Sequence, residues 1–392
     1  MKKSISVIFI LVAFIVTVGI FSGFTKSKAF ADGEGVISNS KSAYLIDADS
    51  QSVIYSKNET QRLPIASMCK IMTLLLIFDQ VDNCNINLDE SICISENAAG
   101  MGGSQVFLEQ NNNYLVSDLI KSIVIASAND ACVAMAERCC GSEEEFVQKM
   151  NEKAKELNMN NTNFVNCTGL PKPGQYSCAK DVATMFSELL KHKKYFMFSK
   201  IWTDKIPHEN DRITEISNTN KLIKFYQGCD SGKTGYTTEA GHCLAASAYR
   251  NGMRLISVVI SAPDSKTRFK EVSSMFNYGF ANYVNKKVID IESPLDVIVN
   301  VSGGKKDTLS VVAENSFSLF SKKNEKRSIE VNFEPNEKLS APIIKGSTVG
   351  KLSIYENGME IATINVLANE DIECKTYFDI IKDVSDNWTL VQ

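Results

Sequence analysis

Histidine is nearly missing from this 392-residue chain, which holds three: His192, His208 and His242. A Ser-His-Asp triad would have to draw its base from one of them. His242 falls at the start of a predicted strand and the other two in polar connecting segments, where surface roles are the ordinary expectation. No His-Glu-x-x-His string occurs, which argues against a zinc peptidase built on that helix. Cys-x-x-Cys is also absent, and the cysteines number eleven, so neither a zinc site nor a complete disulfide framework is indicated. Most of these thiols, such as Cys132 and Cys243, have apolar neighbours and are expected as small buried hydrophobes. A basic surplus is lacking too: 42 Lys and Arg stand against 46 Asp and Glu, a formal charge of −4. An acidic chain is a poor candidate for binding nucleic acid.

What is present suffices for a sizeable core. A chain of 392 residues that is 44% hydrophobic is expected to hold two domains. Residues 1–31 read as a secretory signal, with Lys2 and Lys3, an apolar run from Ile5 to Phe24, and Ala29-Phe30-Ala31 before Asp32. The run is long for a signal, so an uncleaved anchor is the alternative. Without this segment, which carries four lysines and no acid, the formal charge falls from −4 to −8.

Three short motifs carry the chemistry. The first is Ser67-Met68-Cys69-Lys70, preceded by Leu63-Pro64-Ile65-Ala66 and followed by an apolar run from Ile71 to Val81 that reads as a buried helix. Residues three apart share a helix face, which brings Lys70 beside Ser67. A serine hydroxyl needs such a base to become a nucleophile, and burial near a second cation lowers a lysine's pKa toward that task. Taken alone, a Ser-x-x-Lys string is more often a helix cap and a solvated lysine, and three others occur, at Ser38, Ser177 and Ser302. The second motif, Ser127-Ala128-Asn129, lies between apolar helical segments 119–126 and 131–137, where a loop can aim a hydroxyl and an amide into a cleft. Ser127 is suited to relay a proton to a leaving amine, and Asn129 to hold a substrate amide. A helix-capping pair is the bland alternative. The third, Lys233-Thr234-Gly235, occurs once and opens a β region. Residues 243–249 and 254–261, joined by Arg250-Asn251-Gly252-Met253, read as a hairpin with an Asn-Gly turn. An edge strand bearing Lys233 can pair with extended substrate backbone, with Gly235 keeping its surface open. The backbone N–H groups of Ser67 and Tyr236 are the natural pair for an oxyanion hole. Together and in this order, the three describe an acyl-transfer site around an activated serine, the motif set of penicillin-binding proteins and related β-lactamases.

On these residues the chain resembles the serine-type D-alanyl-D-alanine carboxypeptidases, the low-molecular-mass penicillin-binding proteins. Further matches are residues 43–47 and 63–67, Gly102-Gly103-Ser104, Phe164-Val165-Asn166 with Thr168-Gly169-Leu170, Asn218-Thr219-Asn220-Lys221, and Lys233 to Thr237 with Ala240-Gly241. The resemblance is strong over about 36–280 and weaker beyond. It departs at Cys69, where the family often has threonine, and at Ala128, where it often has glycine. Arg268, downstream of the hairpin, resembles the arginine that receives the substrate's terminal carboxylate, with Thr237 as a hydroxyl partner. The resemblance implies attack by Ser67 on the bond between two terminal D-alanines of a peptidoglycan stem peptide. Lys70 would act as base, Ser127 as proton relay and Lys233 as electrostatic support, with Asn129, Thr234, Gly235, Tyr236, Thr237 and Arg268 binding substrate. It implies no metal or cofactor, covalent inhibition by β-lactam antibiotics, and an extracytoplasmic location at the cell wall or the outer face of the cytoplasmic membrane. Two rivals stand beside it: a serine β-lactamase, which needs an extra carboxylate for deacylation, and a non-catalytic cell-wall or β-lactam-binding module.

The expected fold class is α/β (α+β): an antiparallel sheet with a helical lobe over 32–284, like that of serine β-lactamases and penicillin-binding proteins, then a small all-β domain over 285–375. Helices are expected over about 65–160 and 178–200, strands from about 213 to 261, and a closing helix over 269–283. A hairpin is expected at 350–367, around Glu356-Asn357-Gly358-Met359. The tail, 376–392, has apolar residues at irregular helical spacing. It is acidic, so it reads as a weakly membrane-associating helix at most.

Overall fold

The computed structural model describes residues 39–382 apart from 292 and 337. The segment read as a signal, residues 1–31, lies outside the described residues, as does the tail beyond residue 382. Among the described residues no helix is long and apolar enough to cross a membrane.

The centre is a five-stranded antiparallel sheet in the order Val53–Lys57, Ser42–Asp47, Met253–Ala262, Gly241–Arg250, Cys229–Thr237. Its inner strands are apolar without alternation because helices cover both faces. Side chains still alternate in direction. Tyr44, Ile46, Ile256 and Val258 join one core, with Met68, Ile71 and Val182. Ala43, Leu45, Leu255 and Val259 join the other, with Val272, Met275 and Phe276 of the helix Ser265–Asn282. That helix crosses close to the sheet at Gly279, where an added Cβ would come within 2.5 Å of Leu255.

The predicted Asn-Gly hairpin is present. Asn251 and Gly252 have φ of 50° and 77°, the doubly left-handed turn that suits twisted antiparallel strands. Asn357 and Gly358 repeat this at 50° and 79° between Thr348–Glu356 and Met359–Ala368.

The helical lobe contains Lys70–Asp82, Val116–Ile125, Asn129–Cys140 and Glu143–Glu156. It is interrupted, against the continuous helical expectation, by short paired strands Ser91–Cys93 and Asn113–Leu115, with the one-turn helix Glu96–Ala99 and an irregular stretch between them. Two other elements extend past their expected limits. The closing helix begins at Ser265, where Asp264 caps it by accepting the Thr267 N–H at 2.8 Å; its polar first turn hides the start from an apolar-pattern reading. The strand Thr203–Pro207 pairs with Ile213–Ser217 and went unread because both strands of this surface hairpin bury so little.

Beyond the helix, Tyr283–Ile289 pairs with Phe317–Lys322. A four-stranded antiparallel sheet follows in the order Val311–Ala313, Met359–Ala368, Thr348–Glu356, Ile329–Pro335. A separate apolar cluster, including Val301, Leu309, Leu352, Ile354 and Val366, fills this part. Tyr283 stacks on Phe320 at 5.1 Å and 5°, and both belong to the sheet–helix core. Of the described part of the tail, 376–382, residues 377–382 are helical and all but the half-buried Asp379 are exposed, with Thr376 capping through Asp379.

Candidate active site

The segment Leu63–Cys69 is pressed between the sheet edge and a loop. Ala66–Cys69 forms a 3-10 turn that runs directly into the helix Lys70–Asp82. Ala66 has φ of 47°, a left-handed conformation uncommon for a residue with a side chain, immediately before Ser67. Two glycines make room for this. A Cβ on Gly169 would lie 2.1 Å from the Ala66 carbonyl oxygen, and one on Gly235 would lie 2.7 Å from that of Ile65 and 3.2 Å from the Ser67 nitrogen. Ser67 itself is half-buried, so its hydroxyl can be reached.

Lys70 has no exposed surface. Its Nζ donates to Ser67 Oγ at 3.2 Å, to Asn129 Oδ1 at 2.7 Å and to the Thr168 carbonyl at 2.5 Å. Three acceptors aim the ammonium, and only one of them is the hydroxyl it would deprotonate. Asn129 is held in turn: its Nδ2 donates to Gly102 O at 2.7 Å and its backbone N–H to Ser104 O at 2.7 Å. Both ends of the carboxamide expected to hold a substrate amide therefore meet protein groups here. Thr168 is presented by a turn in which Asn166 Oδ1 accepts the Gly169 N–H at 2.7 Å.

Ser127 sits between helices Val116–Ile125 and Asn129–Cys140 with φ of 63°, and its hydroxyl accepts from Lys233 Nζ at 2.7 Å. Lys233 also donates to the Thr234 carbonyl at 3.2 Å. Burial, and after it the positive charges of Lys70 and Arg268, hold the Lys233 ammonium well below the ordinary lysine range. Lys233, Thr234 and Gly235 lie on the edge strand of the sheet. Asn220 backs that strand, donating to Ser231 O at 3.4 Å.

Arg268, in the first turn of Ser265–Asn282, is half-buried rather than solvated. Its Nη1 donates to Gly235 O at 3.1 Å and Cys243 O at 3.3 Å. Thr237 Oγ1 accepts the Ala240 N–H at 3.0 Å, which leaves its own proton to donate. Tyr236 is 60% exposed at the same end of the strand. Hydrogen bonds thus join Ser67, Lys70 and Asn129 in one group and Ser127 with Lys233 in another, while the close approach of Gly235 to the Ser67 nitrogen and the bond from Arg268 to Gly235 O bring the edge strand from Lys233 to Thr237 up to the nucleophile. The partners of Ser67, Lys70, Ser127 and Lys233 are hydroxyls, a carboxamide and carbonyls, and none of the recorded partners is a carboxylate.

Several residues take part in ways the sequence does not assign to them, Thr168 and Gly169 among them although they belong to the resemblance. The Thr168 carbonyl and the Gly169 cradle act through backbone, which leaves no side-chain signature. Asp130, next to Asn129, is fully buried and accepts from the Val106 and Leu108 N–H groups at 3.0 and 3.1 Å, tying down the loop that holds Asn129. A carboxylate inside an apolar helix was its available signal. The histidines are not plain surface residues: His192 bonds Asp82 at 2.7 Å, His208 bonds Tyr114 and Thr214 at 2.8 Å, and His242 lies under Tyr236. All eleven cysteines are free, with six buried, two half-buried and three exposed. Among the described residues no group of three or more His, Cys, Asp or Glu could hold a metal.

Comparison with known proteins gives two family matches. Residues 29–264 match the model described as D-alanyl-D-alanine carboxypeptidase, and 283–374 match that of the penicillin-binding protein 5 C-terminal domain. The chain is 40% identical over 368 residues to the D-alanyl-D-alanine carboxypeptidase DacF of Bacillus subtilis, covering 92% of this chain and 94% of that one. The solved penicillin-binding protein 5 of Haemophilus influenzae superposes with a TM-score of 0.67 at 28% identity, over 86% of this chain and 98% of that one. Penicillin-binding protein D2 of Listeria monocytogenes, solved with ampicillin bound, gives 0.56 at 30% identity over 62% of this chain and 99% of that one.

Proposed function

The chain belongs to the D-alanyl-D-alanine carboxypeptidase family of penicillin-binding serine peptidases, and from that premise we infer that it removes the terminal D-alanine of peptidoglycan stem peptides through an acyl-enzyme on Ser67. The observation that carries the residue assignment is the pair of lysine–serine contacts, Lys70 to Ser67 at 3.2 Å and Lys233 to Ser127 at 2.7 Å, with Gly235 of the Lys233 strand packed close to the Ser67 nitrogen.

In this reading the peptide backbone lies along the edge strand Cys229–Thr237. The acyl carbonyl points at the N–H groups of Ser67 and Tyr236, which stabilise the charge that develops on its oxygen. Lys70, freed of a proton, takes that of Ser67 Oγ as the oxygen bonds to the carbonyl carbon. Asn129 and the Thr168 carbonyl keep Nζ directed at the hydroxyl, so Asn129 positions the base as well as meeting substrate. The proton taken by Lys70 returns through the Ser127 hydroxyl to the departing D-alanine nitrogen as the C–N bond breaks, with Lys233 holding that hydroxyl. Gly235 keeps the strand close to Ser67, and Thr234, Thr237 and Arg268 receive the substrate's C-terminal end. Arg268 can offer a carboxylate its second terminal nitrogen while the first stays bound to the two carbonyls, and a guanidinium suits that task better than an ammonium. Water then releases the acyl group and restores Ser67.

β-Lactams enter the same site and acylate Ser67. Among the described residues, no recorded hydrogen-bond partner of Ser67, Lys70, Ser127 or Lys233 is a carboxylate that could activate water, which supports a long-lived adduct. We further assign 1–31 to export, placing the enzyme at the cell wall or the outer membrane face, 32–284 to catalysis, and 285–375 to a β-rich spacer or docking module. The exposed Tyr377, Phe378, Ile380 and Ile381 supply an apolar surface for weak membrane contact by the tail, 376–392. The test is to incubate the protein with labelled penicillin and, separately, with a peptide ending in D-Ala-D-Ala. D-Alanine release and a stable adduct on the peptide containing Ser67 are expected, both abolished by Ser67→Ala. Rapid drug turnover without an adduct would make it a β-lactamase, and neither activity would leave a binding module.

A further inference from the structure

The turn after the edge strand brings together three side chains, of which only that of Arg268 has a role in the mechanism above. Register pairs Tyr236 directly with His242 across the two strands, so their side chains share a face. The imidazole stacks under the Tyr236 ring with centroids 4.4 Å apart and planes at 28°. Arg268 closes the same corner, bonded to the carbonyl before Tyr236 and to the one after His242. Two buried nitrogens here lack a hydrogen-bond partner, His242 Nδ1 and Arg268 Nε. The groups that act on the imidazole are Tyr236 from the edge strand, Arg268 from the helix, and Asp264 at its N-cap. Asp264 accepts from the Thr267 N–H and hydroxyl at 2.8 and 2.7 Å, which hold its carboxyl below the usual range and so ionised near neutrality.

We propose that His242 is a positioning and specificity-determining residue of the substrate's carboxylate end: it fixes the Tyr236 ring as a wall beside the acyl carbonyl and, when protonated, joins Arg268 in favouring a free carboxylate over a neutral terminus. The proposal rests on the assignment of Arg268 to that carboxylate. Burial, and next the Arg268 charge, hold the His242 pKa below its ordinary value, so the free enzyme at neutral pH has a neutral imidazole. A substrate carboxylate seated on Arg268 offsets the field that opposes the second proton. Binding therefore raises the His242 pKa, and by linkage the preference for the free acid that Arg268 supplies at every pH is strengthened as pH falls through that range, an increment that disappears above it. One added charge in a solvent-facing corner is worth about three-fold in affinity.

The test is the ratio of kcat/KM for a D-Ala-D-Ala peptide over its C-terminally amidated form, from pH 8 to 5.5, which cancels the titration of the catalytic groups common to both. Wild type is expected to gain about three-fold in this ratio on acidification. His242→Phe, which keeps an aromatic face under Tyr236 and lacks the charge, should give a flat ratio, and His242→Gln likewise. A flat wild-type profile, or the same rise in both variants, overturns the role of His242. Arg268→Ala should collapse the ratio at every pH; if it leaves the ratio intact, the carboxylate assignment itself falls. Imidazole shifts in Ser67→Ala, with three histidines to resolve, read the coupling without turnover. The His242 pKa should rise on adding the free-acid peptide and not the amide, and equal behaviour with both overturns the proposal.

Discussion

Gly169→Ala puts the geometry of the nucleophile to a quantitative test without touching any reacting group. Gly169 has φ of 82°, and a Cβ built there would stand 2.1 Å from Ala66 O, 2.5 Å from Ala66 C and 2.9 Å from Ser67 N. All three are backbone atoms, so no side chain can swing aside. Real Cβ contacts start at about 3 Å, so the turn carrying Ser67 or the loop carrying Thr168 must move by roughly 1 Å. The left-handed backbone adds about 1–2 kcal/mol of strain for a residue with a Cβ. Either displacement separates groups that share Lys70: the turn takes Ser67 from Nζ, and the loop takes the Thr168 carbonyl that aims it. A 1 Å misplacement of a reacting group costs about a hundred-fold in rate. The expected outcome is a protein that melts cooperatively at a somewhat lower temperature and is acylated by labelled penicillin about a hundred-fold more slowly. Gly252→Ala is the control, since φ there is 77° and nothing lies within 4 Å of the added Cβ. It should lose about 1 kcal/mol of stability and keep its acylation rate. If Gly169→Ala acylates within a factor of a few of wild type, the close approach does not position the nucleophile.

Lys70→Ala should slow acylation by on the order of a hundred-fold or more in stopped-flow measurements, and full acylation at neutral pH would remove Lys70 as the base. Lys233→Met should flatten part of the alkaline stability profile. The buried ammonium has a native pKa far below that of the unfolded chain, so the unfolded state holds the extra proton between those two values and wild-type stability rises with pH there, by up to about 1.4 kcal/mol per pH unit. Urea unfolding of both proteins from pH 7 to 10 reads the difference, and parallel profiles would contradict the shift. A chain ended near Tyr283 should still bind penicillin, since every proposed site residue precedes it. It should lose about 2 kcal/mol as Tyr283 gives up its cover from Phe320; a chain that melts cooperatively yet fails to bind would make the β domain part of the site.

Much of the candidate site is legible in the sequence because acyl transfer restricts both residue type and spacing. Serine and lysine three apart in a helical turn must meet, and an Asn-Gly pair between apolar runs must turn back. The β-rich C-terminal part was legible for the same reason, through alternation and the Asn357-Gly358 turn. Less visible were elements whose stability owes little to apolar pattern: the capped polar start of Ser265–Asn282, the surface hairpin at 203–217, and the loop held by Asp130. His242 looked like an ordinary strand-end residue because its meaning depends on what sits opposite.

The amino-acid order alone determined contacts that close within one turn or hairpin, since local backbone energetics decide those: Ser67 with Lys70, and Asn251 with Gly252. Tertiary structure decided which distant groups meet. Lys233 meets Ser127 across 106 residues, and Lys70 meets Thr168 across 98. Neither partnership has a local signature. Both exist because helices bury the two faces of the sheet and leave its edge strand free to lie against the turn of Ser67, with glycine at 169 and 235 letting the backbones approach.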